Sequence, residues 1–134
     1  MIILLAILFT LFPSKDNLII KNAWMRPSSE NMATALYFTI ENKDNATDTL
    51  YKVDCDFAGK VEIHETYSQG DMMGMRKVDF VVIDNKSSFE FKPGGYHVML
   101  MKLKKDINDG DDGKFVLYFK QAGEIKITAS AMQP

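Results

Sequence analysis

The chain of 134 residues contains a single cysteine, Cys55. One cysteine forms neither an intramolecular disulfide nor a thiolate metal cluster, so packing alone must hold the fold together. A basic surface is missing too, since the formal net charge is −2, and a nucleic acid is therefore not expected as a partner. No residue set typical of a catalytic centre stands out, and we expect the protein not to be an enzyme.

The one long apolar run lies at the start of the chain, in the segment MIILLAILFTLF. A transmembrane helix needs about 20 apolar residues, so this shorter run is more typical of a secretory signal. We predict that residues 1–14 are a signal peptide and that the protein is exported. No lysine or arginine precedes the run, so the signal is expected to be incomplete at its N-terminus. The alternative is a buried first strand of the domain.

Residues 15–134 have the length of a single domain. Short apolar or alternating stretches recur along them, separated by segments rich in Gly, Pro, Asn and Asp. This pattern predicts about nine short strands and no long helix. Short strands at regular spacing are typical of an antiparallel β-sandwich or barrel. The predicted strands lie at 17–26, 34–42, 49–57, 59–66, 76–83, 87–92, 96–103, 114–120 and 124–131.

The segment PGGYHVMLM, residues 93–101, predicts an unusual strand after a Pro-Gly-Gly turn. Successive side chains of a strand point to opposite faces. His97 and Met99 therefore share one face, while Val98 points to the other. A core face would favour Val, Ile or Leu at these positions, and a water-facing surface would favour Lys, Thr or Glu.

The second histidine also has methionines nearby in the sequence. His64 lies in the segment VEIHET, where alternation places it outside the core or at its rim. The predicted loop 67–75 that follows contains Met72, Met73 and Met75. Taken singly, a strand histidine is usually a surface residue and a methionine usually fills a gap in a core. Taken together, two histidines beside methionines indicate a metal site.

Imidazole and thioether groups form a soft set of ligands. Thioether sulfur is uncharged and does not bind a proton in water, so it is always available as a donor. Soft ligands of this kind select Cu(I), whereas oxygen ligands select Mg²⁺ or Ca²⁺. Structural Zn²⁺ sites use thiolate and imidazole. A His/Met set without cysteine or carboxylate therefore favours monovalent copper, and a β-sandwich that binds no metal remains the alternative.

The spacing of these donors resembles the periplasmic copper chaperones of the PCu(A)C type. That family is marked by a His, ten residues, a Met, twenty-one residues and then His-x-Met. Here ten residues separate His64 from Met75, and twenty-one residues separate Met75 from His97-Val98-Met99. The segments NAWMRP, ALYFTIEN and PGGYHVMLMKL are similar to further segments of the family, and the resemblance covers residues 18 to 131.

The resemblance implies a cupredoxin-like antiparallel β-sandwich with Greek-key topology. It also implies a site for one Cu(I) formed by His64, Met75, His97 and Met99. Such a protein is a monomeric copper chaperone of the periplasm. Its partners are the copper ion and an acceptor such as a cytochrome c oxidase subunit or its assembly factor.

Two other functions remain open for a copper-binding sandwich. A copper buffer would hold the ion without delivering it. An electron-transfer cupredoxin would need a His₂Cys site, but no His or Met closely follows Cys55.

Several expectations concern the surroundings of the site. We expect His64 and Met75 to form its mobile half, and His97 and Met99 its rigid half. Glu65 either orients His64 or is an ordinary solvated acid. The aromatic residues Trp24 and Tyr37 are expected to pack in the sandwich or at its edge. Met72, Met73 and Met101 are extra thioethers, serving either as hydrophobic cover or as alternate ligands during transfer.

Overall fold

The computed structural model describes residues 15–133, which form ten β-strands after a short 3-10 turn at Lys15–Asn17. The predicted signal peptide, residues 1–14, lies outside the described residues. Within 15–133 no helix is long and apolar enough to cross a membrane. The strands are β1 (Leu18–Met25), β2 (Thr34–Asn42), β3 (Asp48–Asp54), β4 (Ala58–Gln69), β5 (Met72–Lys77), β6 (Val81–Ile83), β7 (Ser87–Glu90), β8 (Tyr96–Leu103), β9 (Asp112–Phe119) and β10 (Gly123–Ala131).

The strands form one hydrogen-bonded ladder in the order β5-β4-β8-β2-β1-β10-β9-β3-β6, with β7 added alongside β2. Only β1 and β10 pair in parallel; the other pairings of these strands are antiparallel. A single buried core unites the two halves of the ladder, since Leu36 and Val98 belong to the same cluster as Leu50 and Leu117. The ladder thus folds over on itself, and the predicted all-β antiparallel sandwich is confirmed.

Strand β2 shows how the pattern of the sequence positions the site. Leu36, Phe38 and Ile40 alternate along it and are almost completely buried in the core. Burial of each such side chain stabilises the fold by about 2 kcal/mol. The intervening Ala35 and Tyr37 point to the other face of the sheet, because strand side chains alternate. That second face, on the outside of the sandwich, carries the candidate site.

The loop predicted at 67–75 is wrong. Strands β4 and β5 continue through this segment as a β-hairpin that turns at Gly70, which has a φ of 62°. The second glycine of the segment, Gly74, lies within β5 opposite Tyr67. A Cβ atom on Gly74 would lie 2.7 Å from the Tyr67 ring. The glycine therefore makes room for a cross-strand aromatic ring rather than marking a loop.

The strand predicted at 76–83 is also wrong, because the structure divides it in two. Strand β5 ends at Lys77 and β6 begins at Val81. The two strands lie at opposite ends of the ladder, so the intervening residues carry the chain from one edge to the other. The described residues consequently contain ten strands rather than the nine predicted.

A tight turn introduces β8. The amide of Gly95 donates a hydrogen bond of 3.0 Å to the carbonyl of Lys92, and Gly94 has a φ of 84°. Proline at the second position and a positive φ at the third define a type II turn. The turn aims the start of β8, and with it His97, at the outer face of the sheet.

Replacing Gly94 by alanine should destabilise the fold, because an L-residue is strained at this positive φ. We expect Gly94→Ala to lower the free energy of unfolding by about 1 kcal/mol in urea denaturation. Gly95→Ala is the matched control, since its added Cβ would meet only ordinary contacts, 3.5 Å from Lys92. Equal losses in the two variants would contradict the proposed turn.

Candidate metal centre

The two histidines lie opposite each other on neighbouring strands. In the antiparallel register of β4 with β8, His64 is paired with His97. Their ring centroids are 5.8 Å apart with 52° between the ring planes. A metal–nitrogen bond of about 2.0 Å places an imidazole centroid about 3 Å from its ion. Two rings on one ion therefore have centroids up to about 6 Å apart, so these rings are spaced to share one.

Three imidazole nitrogens are buried without a hydrogen-bond partner in the structure. They are both ring nitrogens of His64 and Nε2 of His97. The remaining nitrogen, Nδ1 of His97, lies 3.3 Å from the carbonyl oxygen of Gly95. If Nδ1 donates its proton to this carbonyl, Nε2 carries the free lone pair. Buried polar atoms normally find a partner, so this arrangement favours a bound ion between the rings.

Burial keeps the imidazole of His97 neutral. His97 is only 4% exposed. This burial lowers the pKa of its imidazole below the ordinary value of 6.5. The nearby His64 lowers it further, while the hydrogen bond with Gly95 acts in the opposite direction. Only a neutral imidazole binds a metal, so His97 is prepared to act as a ligand at neutral pH.

The two candidate methionines differ in their surroundings. Met99 is half-buried on β8, two residues after His97 on the same face, and is paired with Ala35 and Glu62 on the neighbouring strands. Met75 lies on β5 opposite Thr66 and is 60% exposed. Paired residues share a face, and Thr66 is two residues from His64, so Met75 also points to the side of the histidines.

The structure therefore brings three of the predicted ligands together and holds the fourth at the edge. His64, His97 and Met99 lie on adjoining strands, and Met75 extends from the outermost strand β5. At His64, β4 is paired on both sides, whereas β5, which carries Met75, is paired only with β4. Of the extra thioethers, Met73 faces the same side as Met75, whereas Met72 faces the other.

The carboxylate of Glu62, which the pattern of His and Met residues does not indicate, lies beside His64. Its carboxylate oxygen lies 3.9 Å from Nε2 of His64, and its side chain is 12% exposed. Two ammonium groups neutralise it, from Lys60 at 3.3 Å and Lys77 at 3.5 Å. Burial opposes ionisation, but the hydrogen bond from Lys60 and the charges of both lysines lower the pKa of Glu62. The alternation in VEIHET, with Glu62 two residues before His64, was the signal that could have found it.

Glu65, in contrast, does not orient His64. It occupies the opposite face of β4, where Tyr96 and Arg76 hydrogen-bond to its carboxylate. The hydrogen bond from Tyr96, followed by that from Arg76, lowers the pKa of Glu65. Its role is to tie β5 to the start of β8.

A row of aromatic rings borders the histidines on the other side. Tyr37 is buried, with its ring centroid 6.5 Å from that of His97, and Trp24 lies 4.7 Å from Tyr37. The guanidinium of Arg26 lies 5.7 Å from the Tyr37 ring and 5.9 Å from the Trp24 ring. The sequence predicted packing for both aromatic residues, and the structure adds that they form a wall of the site.

Cys55 does not join the histidines. It is half-buried at a concave surface of about 590 Å³ that residues of β9 and β10 also line. Burial raises the pKa of its thiol, which makes it a poor metal ligand and nucleophile. Among residues 15–133, no three His, Cys, Asp or Glu side chains form a group that could hold a metal as they stand. A metal between the histidines therefore needs either other donors, such as thioethers, or movement of a nearby carboxylate.

Solved PCuAC domains share this architecture. The copper-bound PCuAC domain from PmoF2 aligns with a TM-score of 0.74 and 25% identity, covering 88% of this chain and 94% of that one. The solution structure of CuI-DR1885 from Deinococcus radiodurans aligns with a TM-score of 0.65 and 23% identity, covering 84% and 78%. The latter likeness concerns the fold alone. Together with the strand order described above, these two solved structures confirm the cupredoxin-like β-sandwich and the resemblance to PCuAC proteins.

The chain belongs to the family described as putative lipoprotein LpqE-like, which matches residues 18–131. A relative from Rickettsia prowazekii (strain Madrid E), uncharacterized protein RP573, is 32% identical over 114 residues, or 81% of this chain. A protein of Leifsonia xyli subsp. xyli, putative lipoprotein Lxx21020, is 26% identical over 105 residues, or 78% of this chain. The chain spans 63% of the length of each of these two relatives.

The buried neutral state of His97 should make the metal-free protein less stable in mild acid. In the unfolded chain His97 takes up a proton as the pH falls through about 6.5, while the folded imidazole resists it because its pKa is lowered. Unfolding then binds protons, so the free energy of unfolding decreases as the pH falls below about 6.5. Urea denaturation of the wild type and His97→Gln from pH 7.5 to 5 measures this. A wild-type curve no steeper than that of the variant would contradict the assignment.

Proposed function

We propose that the protein is a copper chaperone that binds one Cu(I) through His64, Met75, His97 and Met99 and delivers it to an acceptor in the cell envelope. The observation that carries the proposal is the pair of facing imidazoles with buried, unpartnered nitrogens. Copper is the cargo of this protein rather than a resident cofactor.

The chemistry of the donors supports the monovalent ion. Two neutral imidazoles and two neutral thioethers leave the charge of the bound ion at +1, which is easier to hold at a half-buried site than a higher charge. Thioethers prefer Cu(I) to harder ions. His97 and Met99 supply one half of the ligand set from β8, and His64 and Met75 supply the other from β4 and β5.

The exposure of Met75 supports a site from which an acceptor could take the ion. Its thioether lies at the outermost strand and is open to solvent, whereas His97 is buried. A neutral thioether bond is weaker than a thiolate bond, so an incoming acceptor could displace Met75 first and then take the remaining ligands in turn.

The proposed location rests on the description of the family, and the proposed acceptor rests on the resemblance to the PCu(A)C copper chaperones. The family and the relative from Leifsonia xyli are described as putative lipoproteins, which supports an exported protein and, with the predicted signal peptide, the periplasm. We propose a monomer that delivers copper for the assembly of the copper centre of cytochrome c oxidase, to an oxidase subunit or its assembly factor.

An anaerobic Cu(I) titration against a competing chelator tests the site. We expect the wild type to bind one equivalent, and the double variant His97→Ala, Met99→Ala to lose stoichiometric binding because two of four donors are gone. Met72→Leu is the control, since Met72 lies on the opposite face of β5 and its loss should leave the affinity unchanged. Retained stoichiometric binding in the double variant would remove the proposed site.

A transfer assay separates a chaperone from a buffer. We expect Cu(I)-loaded protein mixed with an equimolar soluble copper-binding domain of a cytochrome c oxidase subunit to pass its copper to that domain. Trp24, the only tryptophan of the chain, lies beside the Tyr37 ring that contacts His97, so its fluorescence offers a readout of release. Met75→Leu should weaken Cu(I) retention by about tenfold or more. Copper that stays on the wild-type protein would identify a buffer.

A further inference from the structure

The methionine side chains of residues 15–133 differ widely in their exposure to solvent. Met25 is 1% exposed in the core, and Met99 and Met101 are half-buried on β8. Met75 is 60% exposed and, among the four proposed Cu(I) ligands, is the one open to solvent. A reagent dissolved in water therefore reaches this thioether before it reaches the other proposed ligands.

The position of Met75 on the sheet explains its exposure. It lies on β5, the last strand of the ladder, which is paired only with β4. Its cross-strand partner is Thr66, a small residue that covers little of a long side chain. Met73 lies two residues away on the same face and is 74% exposed. The end of the hairpin thus presents its thioethers directly to solvent.

We propose that Met75 is an oxidation site through which hydrogen peroxide blocks the loading of Cu(I). This inference rests on the proposed function, in which the sulfur of Met75 is a copper ligand. The thioether sulfur attacks one oxygen of the peroxide, an S–O bond forms as the O–O bond breaks, and water leaves. Sulfur is oxidised by two electrons to the sulfoxide, and these electrons reduce the two peroxide oxygens.

The sulfoxide is a poor ligand for monovalent copper. Oxidation turns an apolar side chain into a polar one whose outermost donor is an oxygen instead of a sulfur. Oxygen donors suit harder ions than Cu(I). The oxidised protein is then left with His64, His97 and Met99, which is one soft donor fewer than the proposed site requires.

Oxidation of Met75 should leave the fold intact. Its side chain projects from an edge strand and does not belong to the buried core. Oxidation of Met25 would place a polar group in that core, but this residue is almost completely buried and therefore protected. An oxidant thus reaches the proposed ligand without unfolding the protein.

The same exposure makes the modification reversible. Methionine sulfoxide reductases convert the sulfoxide back to the thioether. A dithiol supplies the two electrons, becomes a disulfide, and the sulfoxide oxygen leaves as water. Such an enzyme needs access to the side chain, which the open edge of β5 gives at Met75.

Mass spectrometry of the metal-free full chain treated with hydrogen peroxide tests the reactivity. Met32 is the matched comparison, since it is 59% exposed and its backbone is hydrogen-bonded to Leu103, at the far end of β8 from the histidines. We expect Met75 and Met32 to become sulfoxides at rates within about threefold of each other, and Met25 and Met99 to react about fivefold or more slowly. A Met75 that stays a thioether while Met32 is oxidised would overturn the inference.

An anaerobic Cu(I) titration after removal of the peroxide tests the consequence. We expect the oxidised wild type to bind Cu(I) about tenfold or more weakly than the untreated protein. Incubation with dithiothreitol and methionine sulfoxide reductases for both epimers should restore the affinity. Dithiothreitol alone is the control, because it reduces an oxidised Cys55 thiol but not a sulfoxide.

Two variants assign the effect to one sulfur. The double variant Met72→Leu, Met73→Leu lacks the neighbouring thioethers, and peroxide should still lower its Cu(I) affinity by about tenfold or more. In Met75→Leu, peroxide should change the remaining affinity by less than about twofold. Thermal unfolding of each oxidised protein checks that it is folded.

An oxidised wild type that keeps the affinity of the untreated protein would contradict the inference. An equal further loss in oxidised Met75→Leu would also contradict it, because other residues would then carry the effect. An untreated wild type that binds no Cu(I) would refute the proposed function, and the inference with it, before any peroxide is added. A protein that shows the reversible loss but never passes copper to an acceptor would refute delivery alone and leave the oxidation site standing.

Discussion

The antiparallel pairing of β4 with β8 sets His64 directly opposite His97, and the rest of the site depends on this register. Side chains alternate along a strand, so a slip of one residue would turn one histidine into the core and leave the other outside. The register is held by the buried residues next to the histidines in sequence. Ile63 and Val98 pair with each other and point into the core. Hydrophobic burial on one face thus fixes the positions of the two histidines on the other.

Exposure increases across the site from its centre to its edge. His97 is buried against Tyr37, with its ring hydrogen-bonded to the turn before β8. His64 and Met99 are half-buried on neighbouring strands, and Met75 stands open to solvent on the last strand of the ladder. A buried end gives fixed geometry and low dielectric, which favour tight binding. An exposed end gives access, which ligand exchange requires.

Charged groups lie on two sides of the neutral imidazole and thioether groups. Glu62 stands beside His64 with its charge balanced by lysines, and Arg26 lies over the aromatic rings on the far side. The spacing of His and Met residues does not indicate this carboxylate. Glu62 lies near the site because it shares a face of β4 with His64. The structure therefore places a carboxylate with a balanced charge next to a set of neutral donors.

By itself the sequence determined the class of fold and the candidate ligands. Alternation in segments such as TALYFTIEN and YHVMLMKL marked the strands and their faces, because period-two patterning is a local property. The spacing of His64, Met75, His97 and Met99 indicated the family, and the type II turn was likewise visible in Pro-Gly-Gly. These features depend on neighbours in the chain, which a single sequence contains.

Only the tertiary structure determined which residues of different strands are neighbours. It extended β4 and β5 through the supposed loop at 67–75, since Gly74 leaves space for a ring from the opposite strand. It also brought Tyr37 to the histidines and paired Glu65 with Tyr96 and Arg76. Strand pairing joins residues far apart in the chain, and the local pattern of one strand does not specify its partner or its register.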